Sequence, residues 1–177
     1  FPIVIEEAMK VTSYGSLLKV CRDLLHEKIP IIDMLTIIEA VADIAEFTKA
    51  PEVLLEHVRA KLYRLITQKF KDTDGVLHII TIKPELEQQF IGKIQEHHGV
   101  SQLMLSIAEI NNLVTKTKKL LDSIEVKGFS KITMVVDPIL RKRISEIYEK
   151  FGLQVSVLSH AELDSKANFA IEGTLEF

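Results

Sequence analysis

The one cysteine of the sequence is its most obvious candidate nucleophile. Cys21 could attack a substrate as a thiolate if its surroundings lowered the thiol pKa. Four leucines stand three or four residues away, however, which places the cysteine on the apolar stripe of a helix. These leucines are Leu17, Leu18, Leu24 and Leu25. The pattern therefore favours core packing over catalysis at this position.

Two neighbouring histidines are the most obvious candidate metal ligands. His97 and His98 stand at the end of a helix that is predicted for residues 85–97. Adjacent helical side chains point about 100° apart, so these imidazoles cannot easily share one metal ion. A solvated C-terminal turn, where positive charge is favourable, explains the pair better. We predict no metal site in the chain.

Paired carboxylates could perform general acid and base catalysis, as they do in glycosidases and some proteases. The pairs closest in sequence are Glu6 with Glu7 and Glu85 with Glu87. Adjacent and alternate helical positions face different directions, so both pairs indicate solvated surface rather than a catalytic dyad. The sequence predicts no catalytic residue, and we do not expect an enzyme.

Two basic clusters could contact phosphate, a nucleic-acid backbone or an acidic partner protein. The first is Arg141, Lys142 and Arg143, near the start of a predicted helix. Glu146 and Glu149 follow it, which favours a mixed exposed face. The second cluster, near a helix C-terminus where cations are favourable, is Lys116, Lys118 and Lys119.

The chain contains neither glycine-rich phosphate-binding pattern, G-x-G-x-x-G or the Walker sequence. We therefore expect no nucleotide cofactor and no ATP hydrolysis. The net charge of -3 and the absence of tryptophan argue against nucleic acid as a partner. We expect no small-molecule substrate either.

The composition is that of a globular intracellular segment. Hydrophobic residues make up 47% of the 177 residues and charged residues 27%, which allows a core and argues against disorder. One cysteine fits a reducing cytoplasm. Four acidic residues interrupt the most apolar stretch, residues 29–47, so we expect no membrane span. Because the chain begins with Phe1 and Pro2, without an initiator methionine, we interpret it as a piece of a longer protein.

The first part of the chain, residues 1–71, has apolar residues at helical spacing and is predicted to form a helical bundle. Three stripes define three helices, which start near Ser16, Asp33 and Pro51. The stripe residues are Leu17, Leu18, Cys21, Leu24 and Leu25, then Ile37, Ile38, Val41, Ala42 and Ala45, then Leu54, Leu55, Val58, Leu62, Leu65 and Ile66.

A polar stretch at 71–75 separates this bundle from residues 76–177, which we predict to form a small α/β unit with a mixed or parallel sheet of four to five strands. Residues 77–82 lead into the helix 85–97. Residues 103–105 lead through Ser106 to a helix that ends near Gly128, and residues 132–136 lead through Asp137 to a helix that Gly152 ends. Further strands are predicted at 153–158 and 169–175.

Several linked motifs of the helical part resemble one protein family. They are the leucine-rich helix 18–25, Ile29-Pro-Ile-Ile-Asp-Met, Leu35-Thr-Ile-Ile-Glu-Ala-Val-Ala-Asp and Pro51-Glu-Val-Leu-Leu-Glu-His-Val-Arg-Ala. Their order and spacing are similar to the third cytoplasmic subdomain of the FlhA family (FHIPEP) of type III export proteins. Ile32 stands where many relatives carry arginine before the aspartate.

The second part is similar to the fourth, C-terminal subdomain of the same family. The motifs that carry this resemblance are Lys83-Pro-Glu-Leu-Glu, Asp137-Pro-Ile-Leu-Arg and Val157-Leu-Ser-His-Ala-Glu-Leu. His160 replaces the tyrosine or asparagine that is usual in the last motif. The resemblance covers nearly the whole chain.

The resemblance implies a parent protein of the bacterial inner membrane whose N-terminal helices span the bilayer. Its cytoplasmic region has four subdomains, forms a nine-membered ring beneath the export gate, and receives export chaperones, substrates and ATPase components. The main chaperone groove lies between the first two subdomains, which this chain lacks. We therefore expect a docking and ring-assembly module of the flagellar export apparatus, with the helical part facing neighbouring subunits and the α/β part facing export partners. Alone, the chain would be monomeric.

Six residues are the expected contacts with partners or with neighbouring subunits in the ring. They are Pro30, Asp33, Glu39, Arg59, Arg141 and Arg143. Each also has a plain structural explanation, because a proline can form a turn, an aspartate can cap a helix, and the other four can be ordinary surface charges.

Two other hypotheses remain open. The parent protein could belong to an injectisome, the virulence branch of type III secretion, which differs in partners more than in fold. In another class altogether, the α/β part could bind or convert a small molecule at the C-terminal ends of its strands. Lys83, Ser106 and Asp137 would stand near such a site.

Overall fold

The computed structural model describes residues 1–98 and 100–177. The described residues form two compact units, Phe1–Ile66 and Thr67–Phe177. The division falls inside a helix, a few residues before the polar stretch 71–75. The regular structure of the first unit is helical, and the second unit combines helices with strands.

Among the described residues, the helical unit contains four helices and the first half of a fifth. They are α1 (Pro2–Ala8), α2 (Tyr14–His26), α3 (Met34–Ala45), α4 (Pro51–Lys61) and α5 (Tyr63–Phe70), which continues into the second unit. α4 packs against both α2 and α3, and α1 packs against α3. The predicted helical bundle is confirmed, with α1 as a helix that the apolar pattern does not predict.

Short polar residues cap the helices of this unit. Asp33 caps α3 as predicted, because its carboxylate accepts hydrogen bonds from the Thr36 N–H at 3.2 Å and the Thr36 hydroxyl at 2.8 Å. Ser13 caps α2, and its hydroxyl oxygen accepts from the Ser16 N–H at 3.1 Å. The prediction of Ser16 as the cap is wrong because two serines stand three residues apart, and the first one occupies the capping position.

The predicted third helix consists of two helices. α4 ends at Lys61, Leu62 leaves the helical conformation, and α5 begins at Tyr63. The Leu62 N–H still bonds to the carbonyl oxygens of Val58 and Arg59, at 3.0 and 3.1 Å. The apolar stripe therefore continues across a break of one residue.

The interior of the helical unit lies between α2, α3 and α4. Its buried residues include Val20, Cys21, Leu24, Ile29, Ile37, Val41, Leu55 and Val58. The predicted core position of Cys21 is confirmed. Leu18 and Leu25 are exposed, so the stripe predicted for α2 is wrong at these two positions, which lie on the outer face of the helix.

The α/β unit confirms the predicted fold class. Its elements are β1 (Leu77–Ile82), α6 (Pro84–Ile91), β2 (Ile94–His97), β3 (Val100–Leu103), α7 (Ile107–Glu125), β4 (Thr133–Val136), α8 (Pro138–Lys150), β5 (Ser156–Ser159), a 3-10 helix (His160–Glu162) and β6 (Phe169–Leu175). Among the described residues, four strands form a parallel sheet in the order β5-β4-β1-β6, and β2 and β3 form an antiparallel hairpin.

The hairpin replaces the end of a predicted helix. α6 stops at Ile91 rather than at residue 97, because Gly92 is a poor helix former, and β2 then pairs with β3 from Ile94 opposite Leu103. Of the strand predicted at 103–105, only Leu103 lies in a strand, and this strand belongs to the hairpin and not to the main sheet. His97 ends β2, and His98 follows in a turn with a φ of 52°. The helical placement of the two histidines is wrong.

Two strand-to-helix connections through proline occur as predicted. β1 leads through Lys83 and Pro84 into α6, and β4 leads through Asp137 and Pro138 into α8. The Asp137 carboxylate accepts a hydrogen bond from the Ile139 N–H at 2.9 Å and so caps α8. Proline suits these first turns because its missing N–H would have no partner there.

Replacing Asp33 with alanine is expected to lower the free energy of unfolding by about 1 kcal/mol, because α3 loses the acceptor for an N–H of its first turn. Chemical denaturation followed by circular dichroism measures the change. Asp43→Ala is the matched control, since Asp43 is an exposed aspartate inside the same helix without a hydrogen bond or ion pair among the described residues. Equal losses in both variants would contradict the capping role.

Candidate partner-binding surfaces

The loop between α2 and α3 carries two of the expected contact residues. Ile29 is fully buried and fixes the loop, Pro30 is half-buried two residues after the turn at Lys28, and Ile32 is exposed to solvent. Asp33 uses its carboxylate to cap α3. The structural explanation of Asp33 therefore holds, whereas no turn forms at Pro30 itself, and contact of either residue with a partner stays a prediction.

Arg59 lies inside the helical unit. Its guanidinium Nη1 is 2.6 Å from Oε2 of Glu27, and both side chains are almost fully buried. The expectation of a surface charge at Arg59 is wrong. Arg59 stands four residues after Leu55 and three before Leu62, so the stripe spacing already places it on the buried face of α4. A buried arginine is stable there because it is paired.

A groove runs between α1 and α3, and Glu39 lies at its edge. Four carboxylates line this groove, from Glu7, Glu39, Asp43 and Glu46, together with one lysine, Lys10, which forms an ion pair with Glu7 at 2.5 Å. The last three carboxylates stand at positions i, i+4 and i+7 of α3 and therefore share one face. Two large apolar side chains at the groove, Ile3 and Phe47, are 77% and 82% exposed. We name this site the acidic groove.

The solvent-facing side of α2 carries a row of large apolar side chains. Tyr14, Leu18 and Leu25 are 68%, 50% and 53% exposed. They stand at positions i, i+4 and i+11, within about 40° of one another around the helix axis. Exposed large apolar side chains in one row are typical of a protein contact rather than of free surface. We name this row the α2 stripe.

The basic cluster at the start of α8 is only partly exposed. Arg141 is fully buried, so its expected place on an exposed face is wrong. It shares the inner face of α8 with Ile144 and Tyr148, at positions i+3 and i+7. Arg143 is mostly covered, so its predicted exposure is wrong, although it pairs as expected with an acidic neighbour: its Nη1 lies 3.1 Å from Oε2 of the exposed Glu146.

The residues of the small-molecule hypothesis have structural roles at the strand ends. Lys83 forms an ion pair with Glu176 at 3.1 Å. Ser106 and Glu109 form a reciprocal capping box at the start of α7, and Asp137 caps α8. Among the residues that the structure describes, no three His, Cys, Asp or Glu side chains are grouped so that they could hold a metal ion.

The sequence analysis does not single out His78, which forms a buried polar site in the α/β unit. His78 is the second residue of β1 and is buried. Its Nδ1 is 2.8 Å from Oε1 of Glu172, its Nε2 is 2.8 Å from Oδ2 of Asp74, and its ring stacks on Phe129 at 3.8 Å. Lys127 contacts the second oxygen of Glu172 at 3.1 Å.

An imidazole that contacts a carboxylate through each nitrogen favours its protonated form, because only the cation can donate both hydrogen bonds. Burial alone lowers the pKa of His78, but the hydrogen bonds to Glu172 and Asp74 outweigh it and raise the pKa above the ordinary value. The same hydrogen bond from His78 lowers the pKa of the Glu172 carboxyl. The site therefore favours the protonated form of His78 between two carboxylates.

Asp72 ties the segment that follows α5 to the loop before β4. Its carboxylate accepts hydrogen bonds from the N–H groups of Thr73 at 2.7 Å, Ser130 at 2.8 Å and Lys131 at 3.3 Å, and from the Ser130 hydroxyl. The Ser130 hydroxyl and these backbone donors hold the pKa of Asp72 well below its usual range. The sequence marks this aspartate only as part of a polar stretch.

Both units are organised by helix caps and ion pairs. The FHIPEP family model matches residues 1–168. The chain belongs to the FHIPEP family. Among the residues that the structure describes, no helix is both long enough and apolar enough to span a membrane.

Two curated relatives of this FHIPEP chain are flagellar proteins. The chain is 39% identical over 176 residues to the flagellar biosynthesis protein FlhA of Helicobacter pylori, which covers 99% of the chain and 24% of that protein. It is 25% identical to FlhA of Bacillus subtilis, with 99% and 26% covered. The chain thus spans about a quarter of the length of these relatives.

Solved structures share the fold of this FHIPEP chain at low sequence identity. CdsV of Chlamydia pneumoniae superimposes with a TM-score of 0.89 at 21% identity, covering 99% of the chain and 50% of CdsV. Nonameric SctV-C of EPEC gives 0.87 at 19% identity, with 98% and 52% covered. CdsV in its complex with CdsO gives 0.86 at 21% identity, with 99% and 52% covered.

Replacing Arg59 with methionine is expected to destabilise the chain by about 3–5 kcal/mol, because the Glu27 carboxylate then stays buried without its cation. Denaturant titration of the purified variant measures the loss. Arg22→Met is the matched control, since Arg22 is an exposed arginine of α2 in the same unit. A loss below about 1 kcal/mol for Arg59→Met would show that the pair contributes no more than a surface salt bridge.

The contribution of His78 to stability is expected to decrease as the pH rises. Because the folded-state pKa lies above the value in the unfolded chain, the stabilisation is complete below the unfolded-state pKa and is lost as the pH passes through the folded-state pKa. His78→Gln should flatten this part of the stability curve. His97→Gln, at an exposed histidine of β2, is the control, and the same flattening in both variants would contradict the role of His78.

Proposed function

We propose that this chain is the ring-assembly and partner-docking part of a flagellar protein-export gate, and that it is not an enzyme. The observation that carries this proposal is the family match over residues 1–168 together with 39% identity to FlhA over 99% of the chain. The parent protein would then be a membrane protein of the bacterial inner membrane, with this part on the cytoplasmic side.

The helical unit would make contacts between neighbouring subunits. A nonameric assembly of a protein with the same fold supports this role. The surface for it includes the loop at Pro30 and Asp33 and the acidic groove at Glu39, which all lie at or near solvent. Arg59 would act from inside, because its pair with Glu27 holds the start of that loop in place.

The α/β unit would bind other components of the export apparatus, such as export chaperones, substrates and ATPase components. The complex of CdsV with CdsO, in a protein of the same fold, supports partner binding in general. Glu146 is exposed on α8, where such a component could reach it, and the mostly covered Arg143 would hold it in place through their ion pair. Arg141 is buried and would support this helix from within.

The flagellar branch explains the chain better than the injectisome branch. The identity to FlhA of Helicobacter pylori is 39%, whereas CdsV and SctV-C are 21% and 19% identical. A chain of an injectisome would be expected to show the opposite order.

A pull-down from the lysate of a flagellate bacterium tests the function. The baits are this chain and a version extended to the full cytoplasmic region, with an unrelated α/β protein carrying the same tag as the control. We expect the extended bait to retain export ATPase components, chaperones or filament subunits, identified by mass spectrometry. Enrichment of a metabolic enzyme, or of a tightly bound small molecule, would instead favour the small-molecule hypothesis.

A further inference from the structure

The acidic row of α3 carries charge that the described residues leave uncompensated. The side chains of Glu39, Asp43 and Glu46 have no ion-pair or hydrogen-bond partner among the described residues. Carboxylates at this spacing repel one another, and the last turn of α3, where the helix dipole is negative, contains no basic residue. Lys49 reaches this end of the helix, but it donates to backbone carbonyl oxygens, including that of Ala45 at 2.6 Å. The row is suited to a cationic partner.

The acidic groove also offers apolar surface beside this row. Ile3 and Phe47 are mostly exposed, and the groove encloses about 730 Å³. An occupant that buries these side chains and neutralises the carboxylates must combine apolar residues with positive charge along one border. An amphipathic helix with a basic border has this chemistry.

The α2 stripe provides such a helix on the same chain. Arg22 stands four residues after Leu18 and three before Leu25, so it borders the stripe directly. It is exposed and has no ion-pair partner among the described residues. Lys19 lies on the same border, and its contact with Asp23 at 3.2 Å is an exposed pair of low energy that a partner could replace.

The basic and acidic rows have matching lengths. Lys19, Arg22 and His26 span eight residues of α2, and Glu39, Asp43 and Glu46 span eight residues of α3 and its C-cap. Each row is therefore about 10 Å long on its helix. A helix laid along the groove can bring the two rows into contact over their whole length.

The two surfaces are formed by different helices of the helical unit. The α2 stripe lies on α2, which packs against α4, whereas α1 and α3 pack against each other and form the acidic groove. Two different surfaces of one chain that fit each other produce a head-to-tail contact. Such a contact forms a ring if the rotation closes, and an open filament if it does not.

We propose that the α2 stripe of one copy docks into the acidic groove of the next copy, with Lys19 and Arg22 facing the row from Glu39 to Glu46. This inference rests on the proposed ring role of the helical unit and names the two surfaces that meet. One helix in one groove is a small contact, so the isolated chain associates weakly and a stable ring needs the rest of the parent protein.

Zero-length carbodiimide cross-linking of the folded chain tests the contact. A mixture of ¹⁴N-labelled and ¹⁵N-labelled copies at high concentration is cross-linked, and the linked peptides are identified by mass spectrometry. We expect amide bonds between Lys19 and the acidic row in peptide pairs of mixed isotope, together with a ladder of species beyond the dimer. High salt should reduce the yield, since the contact depends on exposed charges.

Charge reversal provides the decisive comparison. Arg22→Glu alone and Asp43→Arg alone should each reduce the mixed-isotope yield about tenfold, and the double variant should recover most of it, because the reversed charges again face each other. Lys61→Glu, at an exposed lysine of α4, is the control for a change of net charge. Circular dichroism confirms that each variant is folded.

Three outcomes would overturn the proposal. They are the absence of mixed-isotope links, dimers without longer species, and links that survive both single reversals. The proposed function has a separate test, because the full cytoplasmic region should form rings that electron microscopy can count. Rings that assemble normally with Arg22→Glu would disprove the docking assignment and leave the ring role intact, whereas no rings from the unchanged sequence would disprove the ring role itself.

Discussion

The ion pair between Arg59 and Glu27 is the contact on which the helical unit depends most. It joins α4 to the end of α2, where the side chains of Arg59 and Glu27 are only 2% and 12% exposed and each charge relies on the other. Because Glu27 is the residue at which α2 ends, the pair fixes where the following loop begins. Buried Ile29 then directs the loop to Asp33, which starts α3. The surfaces on α2 and α3 keep their relative positions because of this chain of contacts.

The α/β unit reaches a defined structure by a different route. The central strands β1 and β4 are mostly apolar and almost completely buried, so burial holds them together, whereas the edge strand β6 is partly exposed. Polar contacts then fix the details: Asp72 organises the loop before β4, and His78 joins β1 to β6. A shift in the β1–β6 register between Ile79 and Ile80 marks the place where Glu172 is inserted to meet His78.

Sequence patterns predict the parts of this fold that depend on local rules. Helical spacing, the cap at Asp33 and the strand–proline–helix connections all follow from residues close together in the chain. The hairpin of β2 and β3 does not, because its residues show no strong alternation and their pairing depends on a partner strand. Leu18 and Leu25 mislead for a related reason, since an apolar residue at helical spacing does not reveal whether its neighbour is the core or another protein.

The candidate surfaces are harder to predict than the fold. Residue type alone predicts that a charged side chain lies on the surface. Arg59 and Arg141 are nevertheless buried, because each stands three or four residues from buried apolar residues of its helix. Their spacing from Leu55 and Ile144, respectively, is the sequence signal that predicts their burial. Glu39 is exposed, as predicted. Its proposed role also depends on Asp43, on Glu46 and on the groove between α1 and α3, and no single sequence motif describes this combination.

The buried position of Cys21 determines how the chain responds to oxidation. It is the only sulfhydryl in the sequence, it is covered by the helical core, and burial raises the pKa of its thiol. Both effects keep it in the unreactive protonated form. Many copies could therefore stand side by side in a crowded assembly under oxidative stress without becoming joined by disulfide bonds.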